Sequence, residues 1–425
     1  MTKNLTTAAA IVLGAALVLS GCAGTTSGAP SPAASAPEKS IPAYATALQT
    51  QIPEVMKQNA IPGLVVHILS PERGDWSATF GTGEIGEAVP MTLDDVFRIG
   101  SNTKTMTSTV ILQLVQEGVL ALDDPISKFL PDVPGGENIT IAQLSEMRSG
   151  LYSYSFDPGF NATLDAEPQK VWTPDELLAI AFTHPAKFAP GTQYDYSNTN
   201  IVLLGLVIEQ LTGMSASAAF KERIFEPLGL QHTFLPEPKD SSIPTPHAKG
   251  YQFGTNVETI DSYAVPAAQL PSALNGTLLP INQTDANPSW AWTAGGAIST
   301  VDDLAVYVKA LVGGGLLDDA TQKPRIASVQ PTVAGQAGGV GYGLGIAQFA
   351  PGILGHDGQL PGYSTFMVYN TNTNETIIIG ANLSASPVDG ETAAVVVAKS
   401  IIAELYGAAD VPKNNPAAPP TTPAG

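Results

Sequence analysis

Strand-like patterns occur near both ends of this chain, and helical patterns lie between them. Residues 64–70 and 76–81 have the composition of strands, and a Pro-Glu-Arg-Gly-Asp turn joins them. Four further strand-like runs follow residue 340. A sheet built from both ends of a chain, with helices in the middle, is typical of α+β architectures. The sequence therefore predicts a two-lobed α+β (or α/β) fold, in which terminal helices flank an antiparallel β-sheet and an all-helical lobe is inserted.

The predicted elements divide the chain into two lobes. The sheet lobe covers about residues 41–105 and 290–408, and the helical lobe covers about residues 106–289. Helical periodicity is found at 44–59, 103–117, 174–182, 199–211 and 392–405. The late strands are predicted at 341–347, 352–356, 363–369 and 375–381. A cleft between two lobes is a favoured place for a ligand.

The composition excludes several classes of function. The formal net charge of −19 at pH 7 argues against nucleic-acid binding, which requires a basic face. The single cysteine, Cys22, allows neither a disulfide within the chain nor a cysteine-rich metal site. The five histidines form no H-E-x-x-H or H-x-H cluster, so a zinc hydrolase is not expected.

The N-terminal residues have the features of a bacterial export signal. Lys3 supplies a positive charge, and the apolar run 8–19 is short for a membrane span. The sequence Leu-Ser-Gly-Cys that ends at Cys22 resembles a lipobox. We therefore expect a signal peptide at 1–21, lipidation of Cys22, a flexible linker at 22–40, and attachment to the extracytoplasmic face of the cell membrane. The alternative is an ordinary signal peptide with an incidental cysteine. Residues 409–425, rich in Pro and Ala, are predicted to be a disordered tail.

A candidate nucleophile stands at the start of the second predicted helix. Ser101 and Lys104 form an S-x-x-K pattern, and their i, i+3 spacing puts both side chains on one helical face. A serine hydroxyl needs a base, and a lysine of lowered pKa can serve. The N-terminus of the helix also favours a developing negative charge. The alternative is a capping serine followed by a surface lysine.

Two further motifs carry polar groups suited to the same chemistry. Tyr196 and Asn198 lie two residues apart before a predicted helix, where a phenol can shuttle a proton and an amide can hold a lysine. The alternative is a packed tyrosine and a helix-capping asparagine. His356, Asp357 and Gly358 end a predicted strand, and the glycine would allow a substrate backbone to approach closely. The alternative there is a hairpin turn, because Asp-Gly is a turn dipeptide.

The order and spacing of these three motifs resemble those of the serine penicillin-recognising hydrolases. This family includes class C β-lactamases, D-alanyl-D-alanine carboxypeptidases, D-aminopeptidases and related esterases, and the resemblance covers nearly the whole folded unit. It implies that Ser101 is acylated and that Lys104 and Tyr196 transfer its proton, although which one is the base stays open. It implies that Asn198 orients Lys104 and the substrate carbonyl, and that no metal or cofactor is required.

The resemblance also assigns the late motif. It implies that His356 lends polarity or charge beside Tyr196, and that the backbone N–H groups of Ser101 and Gln359 form the oxyanion hole. Asp357 departs from the family, which usually has Thr or Ser at this position to hold a substrate carboxylate. A carboxylate facing the cleft would repel such a substrate, whereas an Asp357 that points away would not.

These features together predict an extracytoplasmic serine hydrolase that forms an acyl-enzyme on amide or ester bonds. D-amino-acid-containing cell-wall peptides and small esters are the expected substrates, and no nucleic-acid partner is expected. Two alternatives stay open at this point: a true β-lactamase, and a non-catalytic lipoprotein that binds penicillin or cell-wall peptides.

Overall fold

The structure, a computed structural model, describes residues 41–333 and 340–413. The predicted signal peptide, Cys22, the linker at 22–40 and the tail beyond residue 413 lie outside the described residues. A 3₁₀ turn at Ala408–Asp410 and the packing of Val411 against the core extend the folded part slightly beyond residue 408.

Both ends of the described chain contribute strands to one eight-stranded antiparallel sheet. β1 (Gly63–Leu69) lies between β2 (Trp76–Gly81) and the last strand of the chain, so the strand order is β2-β1-β12-β11-β10-β9-β8-β7. β3 and β6 form one two-stranded pair, and β4 and β5 form another. The remaining strands are β3 (Phe97–Arg98), β4 (Tyr251–Gln252), β5 (Ile281–Asn282), β6 (Ile298–Ser299), β7 (Gln330–Pro331), β8 (Gly341–Tyr342), β9 (Ala347–Ala350), β10 (Ile353–Leu360), β11 (Tyr363–Asn370) and β12 (Glu375–Ala381).

The helices in the described residues lie mostly between β3 and β7, and the first and the last of them lie near the two ends of the described chain. They are α1 (Ala43–Gln58), α2 (Asn102–Gln116), α3 (Ile141–Ser145), α4 (Pro158–Ala166), α5 (Pro174–Ala181), α6 (Asn198–Thr212), α7 (Ala216–Phe220), α8 (Glu226–Leu228), α9 (Leu270–Leu274), α10 (Trp292–Gly295), α11 (Val301–Gly313), α12 (Asp319–Ala327) and α13 (Ala393–Tyr406). A π-helical turn at Lys221–Phe225 precedes α8.

The middle of the sheet is covered on both faces. Every residue of β11 and β12 is buried, and a strand that is buried on both faces must have helices on each side. α13 lies on β11 and β12 and packs against α1, whereas α11 contacts β1, β11 and β12. α2 reaches β10 and β11. The antiparallel sheet, its terminal helices and the helices inserted between them confirm the predicted fold class.

Two predicted strands have different limits in the structure. The single strand expected at 341–347 is two strands, β8 and β9, because the chain turns between them at Gly345, which has a φ of +60°. The strand expected to end at His356 continues to Leu360, and the chain reverses only at Pro361 and Gly362. The division into lobes at residues 105/106 and 289/290 stays a prediction.

Within residues 41–333 and 340–413, no single helix has both the length and the apolar character needed to cross a membrane. One pair, Asn198–Thr212 with Ala216–Leu228, meets that test only when joined, and it bends by 80°. The same residues contain no group of His, Cys, Asp and Glu side chains arranged to hold a metal ion.

Candidate active site

Ser101 and Lys104 meet at the N-terminus of α2. Ser101 occupies the position before the helix, in helical backbone conformation, and Lys104 follows one turn later. The Lys104 Nζ atom donates hydrogen bonds to Ser101 Oγ at 2.9 Å and to the backbone carbonyl oxygen of Ala294 at 2.6 Å. The S-x-x-K spacing therefore brings the amine within proton-transfer distance of the hydroxyl, and Ala294 on α10 fixes its orientation.

The environment of Lys104 makes it a suitable base. Its side chain is fully buried, and burial penalises the charged form, which lowers the Lys104 pKa from 10.5 to about 7. The Asp357 carboxylate opposes this effect and raises the pKa of the lysine. A substantial fraction of the amine is consequently neutral at pH 7 and able to accept a proton.

Tyr196 lies over the same amine. The Lys104 Nζ atom is 4.8 Å from the centre of the Tyr196 ring. Burial raises the pKa of Tyr196 well above 10, and the Ser101 hydroxyl acts in the opposite direction. The phenol is therefore neutral at pH 7 and lies near the serine. Its buried oxygen has no hydrogen-bond partner within geometric limits among the described residues, so it can bond to a bound substrate.

Asn198 has a different set of contacts from the one that the sequence implied. It begins α6, and its Nδ2 atom donates to Ser155 Oγ at 3.1 Å while its backbone N–H donates to Ser153 Oγ at 3.0 Å. The polar contacts of the Lys104 amine in the described chain are Ser101 and Ala294 instead. Asn198 does line the pocket next to Ser101, so a role towards substrate stays a prediction.

The His356-Asp357-Gly358 motif lies in the middle of a strand. All three residues are paired with β11, so the alternative of a hairpin turn is wrong. His356 Nδ1 is 2.5 Å from the carbonyl oxygen of Asp357 and therefore carries the proton, and Nε2 accepts a hydrogen bond from the Tyr342 hydroxyl at 3.0 Å. Burial lowers the pKa of His356 to about 3. The ring is uncharged at neutral pH, so it contributes polarity rather than charge beside Tyr196.

Asp357 is buried behind the catalytic groups. It is 3% exposed, and it is not among the residues that line the substrate pocket. Its carboxylate nevertheless raises the pKa values of Lys104, Tyr196 and Tyr342, which shows that its charge acts on the reacting groups. Of the two orientations that the sequence allows, the structure supports the one in which Asp357 does not face the cleft, although its charge still raises the pKa of Lys104.

Two glycines bring the nucleophile loop against β10. A Cβ atom on Gly100, which has a φ of +53°, would lie 2.4 Å from Gln359 N. A Cβ atom on Gly358 would lie 1.9 Å from the carbonyl oxygen of Ile99. The sequence interpretation reserved Gly358 for the approach of a substrate backbone. In the structure, the missing side chain of Gly358 instead allows the protein's own backbone at Ile99, next to Ser101, to approach β10.

The edge of β10 beside Ser101 is open. β9 pairs only with residues 353–355 of β10, and the described chain provides no strand partner on that edge beyond them. Leu360 and Tyr363 are paired at the two ends of the two-residue turn, so the N–H of Leu360 points towards β11. The N–H of Gln359, one residue earlier, points in the opposite direction, to the open edge. This direction suits the predicted oxyanion hole formed with the Ser101 N–H.

We expect Gly358→Ala to damage both stability and activity. The added methyl group would overlap the Ile99 carbonyl, so either the strand or the nucleophile loop must move. The free energy of unfolding should fall by about 2 kcal/mol, and kcat/KM should fall with it. Thermal denaturation and ester hydrolysis measure the two effects. Gly313→Ala on α11, where an added Cβ atom meets no neighbour within 4 Å, is the control; equal stability of both variants would contradict the prediction.

A pocket that opens to solvent adjoins Ser101, Tyr196 and Asn198. Apolar side chains form much of its wall: Phe156, Phe160, Leu164, Ile260, Trp290 and Leu360. Other lining side chains carry amides or hydroxyls: Ser155, Asn161, Asn256, Thr259, Tyr263 and Gln359. Sequence patterns did not identify the wall at 256–263, because its loop carries no motif and reaches the site only through the tertiary fold.

We expect Asp357→Asn to shift the pH dependence of acylation. If neutral Lys104 is the base, the rate rises with pH through the lysine pKa of about 7. Asp357 raises that pKa, so its neutralisation should lower the pKa and move the rising limb to lower pH. Profiles of kcat/KM between pH 5 and 9 measure the limb. Asp302→Asn, at a largely exposed carboxylate on α11, is the control, and coincident limbs in all three proteins would refute a role for Asp357 in setting the base.

Comparison of the sequence with known proteins gives the relatives of this chain. The sequence profile of the family described as Beta-lactamase matches residues 48–400. The chain is 28% identical to penicillin-binding protein 4* of Bacillus subtilis over 74% of its length and 67% of that protein. It is 27% identical to a beta-lactamase of Escherichia coli over 48% of its length and 50% of that protein.

Solved structures show the same relationship. The fold is similar to that of a D-stereospecific amidohydrolase from Streptomyces sp., with a TM-score of 0.70 and 32% sequence identity. The match covers 85% of this chain and 98% of that protein. The two chains therefore share their architecture over nearly the whole described region.

Proposed function

Since this chain belongs to the beta-lactamase family and is a serine hydrolase in general character, we propose that it cleaves amide or ester bonds through an acyl-enzyme on Ser101. The expected substrates are D-amino-acid-containing peptides of the cell wall or small esters. The observation that carries this proposal is the 2.9 Å contact between Ser101 Oγ and the Lys104 amine, whose burial lowers its pKa to about 7.

The proposed reaction has two half-reactions. Neutral Lys104 takes the Ser101 proton as Oγ bonds to the substrate carbonyl carbon, and the N–H groups of Ser101 and Gln359 stabilise the oxyanion. Collapse of the tetrahedral intermediate breaks the bond to the amine or alkoxide, which receives the proton from Lys104 through Tyr196. Water then adds to the acyl-serine, gives its proton back along the same route, and releases the carboxylic acid.

The test is direct observation of the covalent intermediate. The full chain is mixed with an activated ester or a β-lactam, and its intact mass is measured at short times. We expect a mass increase equal to the acyl group, mapped to Ser101 by peptide analysis and absent in Ser101→Ala. Ser153→Ala, at a second buried serine, is the control variant and should still be acylated. Absence of adduct and turnover across esters, D-amino-acid amides and lactams would favour the non-catalytic binding alternative.

The likeness to a D-stereospecific amidohydrolase supports amides of D-amino acids. True β-lactam hydrolysis is the less favoured alternative, because no cationic side chain among the described residues lines the pocket to receive a carboxylate. Paired amides of N-acetylated D- and L-amino acids, whose acyl groups carry no charge, test the stereochemistry. Preference for the L series would contradict this part of the proposal.

Asp357→Thr tests the charge argument on β-lactams. Removal of the buried carboxylate should raise kcat/KM for carboxylate-bearing lactams by about tenfold, equivalent to 1.4 kcal/mol, while a neutral ester gains less. Hydrolysis of a chromogenic lactam beside that of p-nitrophenyl acetate measures the ratio. An unchanged ratio would show that Asp357 does not disfavour carboxylates.

The extracytoplasmic location and lipid anchor are also proposals, supported by the lipobox-like sequence at Cys22. Metabolic labelling with a fatty acid in a bacterial host tests them. We expect label on the wild-type chain in the membrane fraction and none on Cys22→Ser. Unlabelled wild-type chain would overturn the anchor without affecting the hydrolase proposal.

A further inference from the structure

We propose that the pocket beside Ser101 selects acyl groups that are uncharged and carry a large apolar or aromatic side chain, an inference that rests on the acyl-serine function proposed above. The chemistry of the pocket is restrictive, because its apolar wall, its amide groups and its lack of charged side chains each exclude a different kind of substrate.

The apolar wall is built on a fixed aromatic cluster. Phe160 lies with its ring centre 5.9 Å from that of Trp290 and 4.9 Å from that of Trp172, and it contacts Tyr154 edge-on at 5.4 Å. The Phe160 and Trp290 side chains line the pocket, while Trp172 and Tyr154 support them from the core. Rings packed in this way present a preformed apolar surface, which favours a side chain of matching character.

The part of the wall formed by residues 256–263 is also held in place by hydrogen bonds within the protein. Asp165 accepts hydrogen bonds from the backbone N–H of Asn256 at 2.8 Å, from Asn256 Nδ2 at 2.7 Å and from the backbone N–H of Val257 at 3.0 Å. These bonds fix the start of the loop that carries Thr259 and Ile260 into the pocket. The Asp165 carboxylate is engaged in these bonds at the base of the loop and does not line the pocket.

Two asparagine side chains of the pocket, Asn161 and Asn256, are oriented by hydrogen bonds that their Nδ2 atoms donate within the protein. Asn161 Nδ2 donates to the carbonyl oxygens of Ser155 and Asp157, both at 2.9 Å, and Asn256 Nδ2 donates to Asp165. Both N–H groups of the Asn161 amide are thus used within the protein and one of Asn256 is, so their carbonyl oxygens are available to a ligand. Acceptors of this kind suit the neutral N–H of an acylamino group or peptide.

No Asp, Glu, Lys, Arg or His lines this pocket in the part of the chain that the structure describes. Lys104 and Asp357 are buried behind the reacting groups and do not reach the acyl wall. Tyr196 and Tyr263 line it as neutral phenols, since burial raises the pKa of both. A substrate ammonium or carboxylate would lose its hydration here without gaining an opposite charge, which is unfavourable for either sign.

Matched esters of fixed charge test this selection on the full chain. The probes are p-nitrophenyl 3-phenylpropanoates whose ring carries a tert-butyl, a trimethylammonio or a carboxylate group, with p-nitrophenyl acetate as a small reference. The first two groups have nearly the same shape and differ in charge. Assays at about 0.2 M salt screen the long-range field of this acidic protein.

We expect kcat/KM for the tert-butyl ester to exceed that for each charged ester by at least about 100-fold, mainly through KM. Equal values within threefold, or a preference for either charged ester, would overturn the inference. Turnover of p-nitrophenyl acetate that depends on Ser101 separates this outcome from failure of the hydrolase proposal. If no ester acylates Ser101, the proposed function itself fails.

Two variants locate the selection in the pocket. Asn161→Asp places a carboxylate among the lining residues and should reduce the preference for tert-butyl over trimethylammonio at least tenfold. Asn275→Asp, at an exposed asparagine outside the pocket, should leave the ratio unchanged. Phe160→Leu should lower kcat/KM for the tert-butyl ester by a larger factor than that for the acetate, and circular dichroism checks its fold. Equal ratios in Asn161→Asp and the control would contradict the assignment to this wall.

Discussion

Replacement of Ser101 by alanine should reduce hydrolysis of any substrate by on the order of 10⁴-fold or more and abolish the acyl-enzyme. The hydroxyl supplies the atom that forms the covalent bond, and no other described hydroxyl contacts the Lys104 amine. Because the side chain sits at the start of α2 and makes no capping hydrogen bond, its loss should leave the thermal unfolding temperature nearly unchanged.

Single-turnover kinetics with a chromogenic ester measure this loss, and circular dichroism checks the fold. Ser242→Ala, at an exposed serine outside the pocket, is the matched control and should retain its activity. A Ser101→Ala protein with more than a few per cent of wild-type kcat would show that the nucleophile is elsewhere.

Replacement of Lys104 by arginine should produce the second largest effect, a loss of about 10³-fold in kcat, within the range for a removed general base. Arginine keeps the positive charge and donor capacity, but its guanidinium does not deprotonate near neutral pH. The loss should persist up to pH 9, whereas the wild-type rate reaches its plateau above the lysine pKa of about 7.

Lys57→Arg on α1 repeats the same exchange at an exposed site and should be silent. Lys104→Met provides a second variant, because the longer arginine side chain has little room at a fully buried position. Ser101→Ala combined with Lys104→Met should be no slower than Ser101→Ala alone, since the two groups act as a unit. Full additivity would mean that Lys104 contributes independently of the serine.

The sequence predicted the proximity of Ser101, Lys104 and Tyr196 better than it predicted their surroundings. Ser101 and Lys104 are one helical turn apart, so local spacing determines their contact, and the structure brings Tyr196 to them as the family resemblance implied. The hydrogen bond from Lys104 to Ala294 depends on a backbone carbonyl, and every residue type carries one. No residue pattern marks such a partner.

The predicted end of β10 was wrong for a related reason. β10 is almost entirely buried, so its sequence lacks the alternation that marks a half-exposed strand, and Asp357-Gly358 carries a turn signal. The glycine is required instead by the neighbouring carbonyl of Ile99, which belongs to a distant segment. Local propensity carries no information about tertiary neighbours. The sequence therefore predicts the His356-Asp357-Gly358 motif at the end of the strand and not in its middle.

The order of strands in the sheet has a consequence for biosynthesis. β1 is synthesised early, but its second partner strand is β12, in which Ala381 pairs with Leu64, and β12 is synthesised much later. Until then β1 and β2 form only a hairpin, which is marginal in water. The emerging polypeptide thus has no complete sheet until its final strands leave the ribosome, and folding is delayed by these long-range contacts. The Gln359 N–H on β10 can therefore meet the loop of Gly100 and Ser101 only after these late strands have been made.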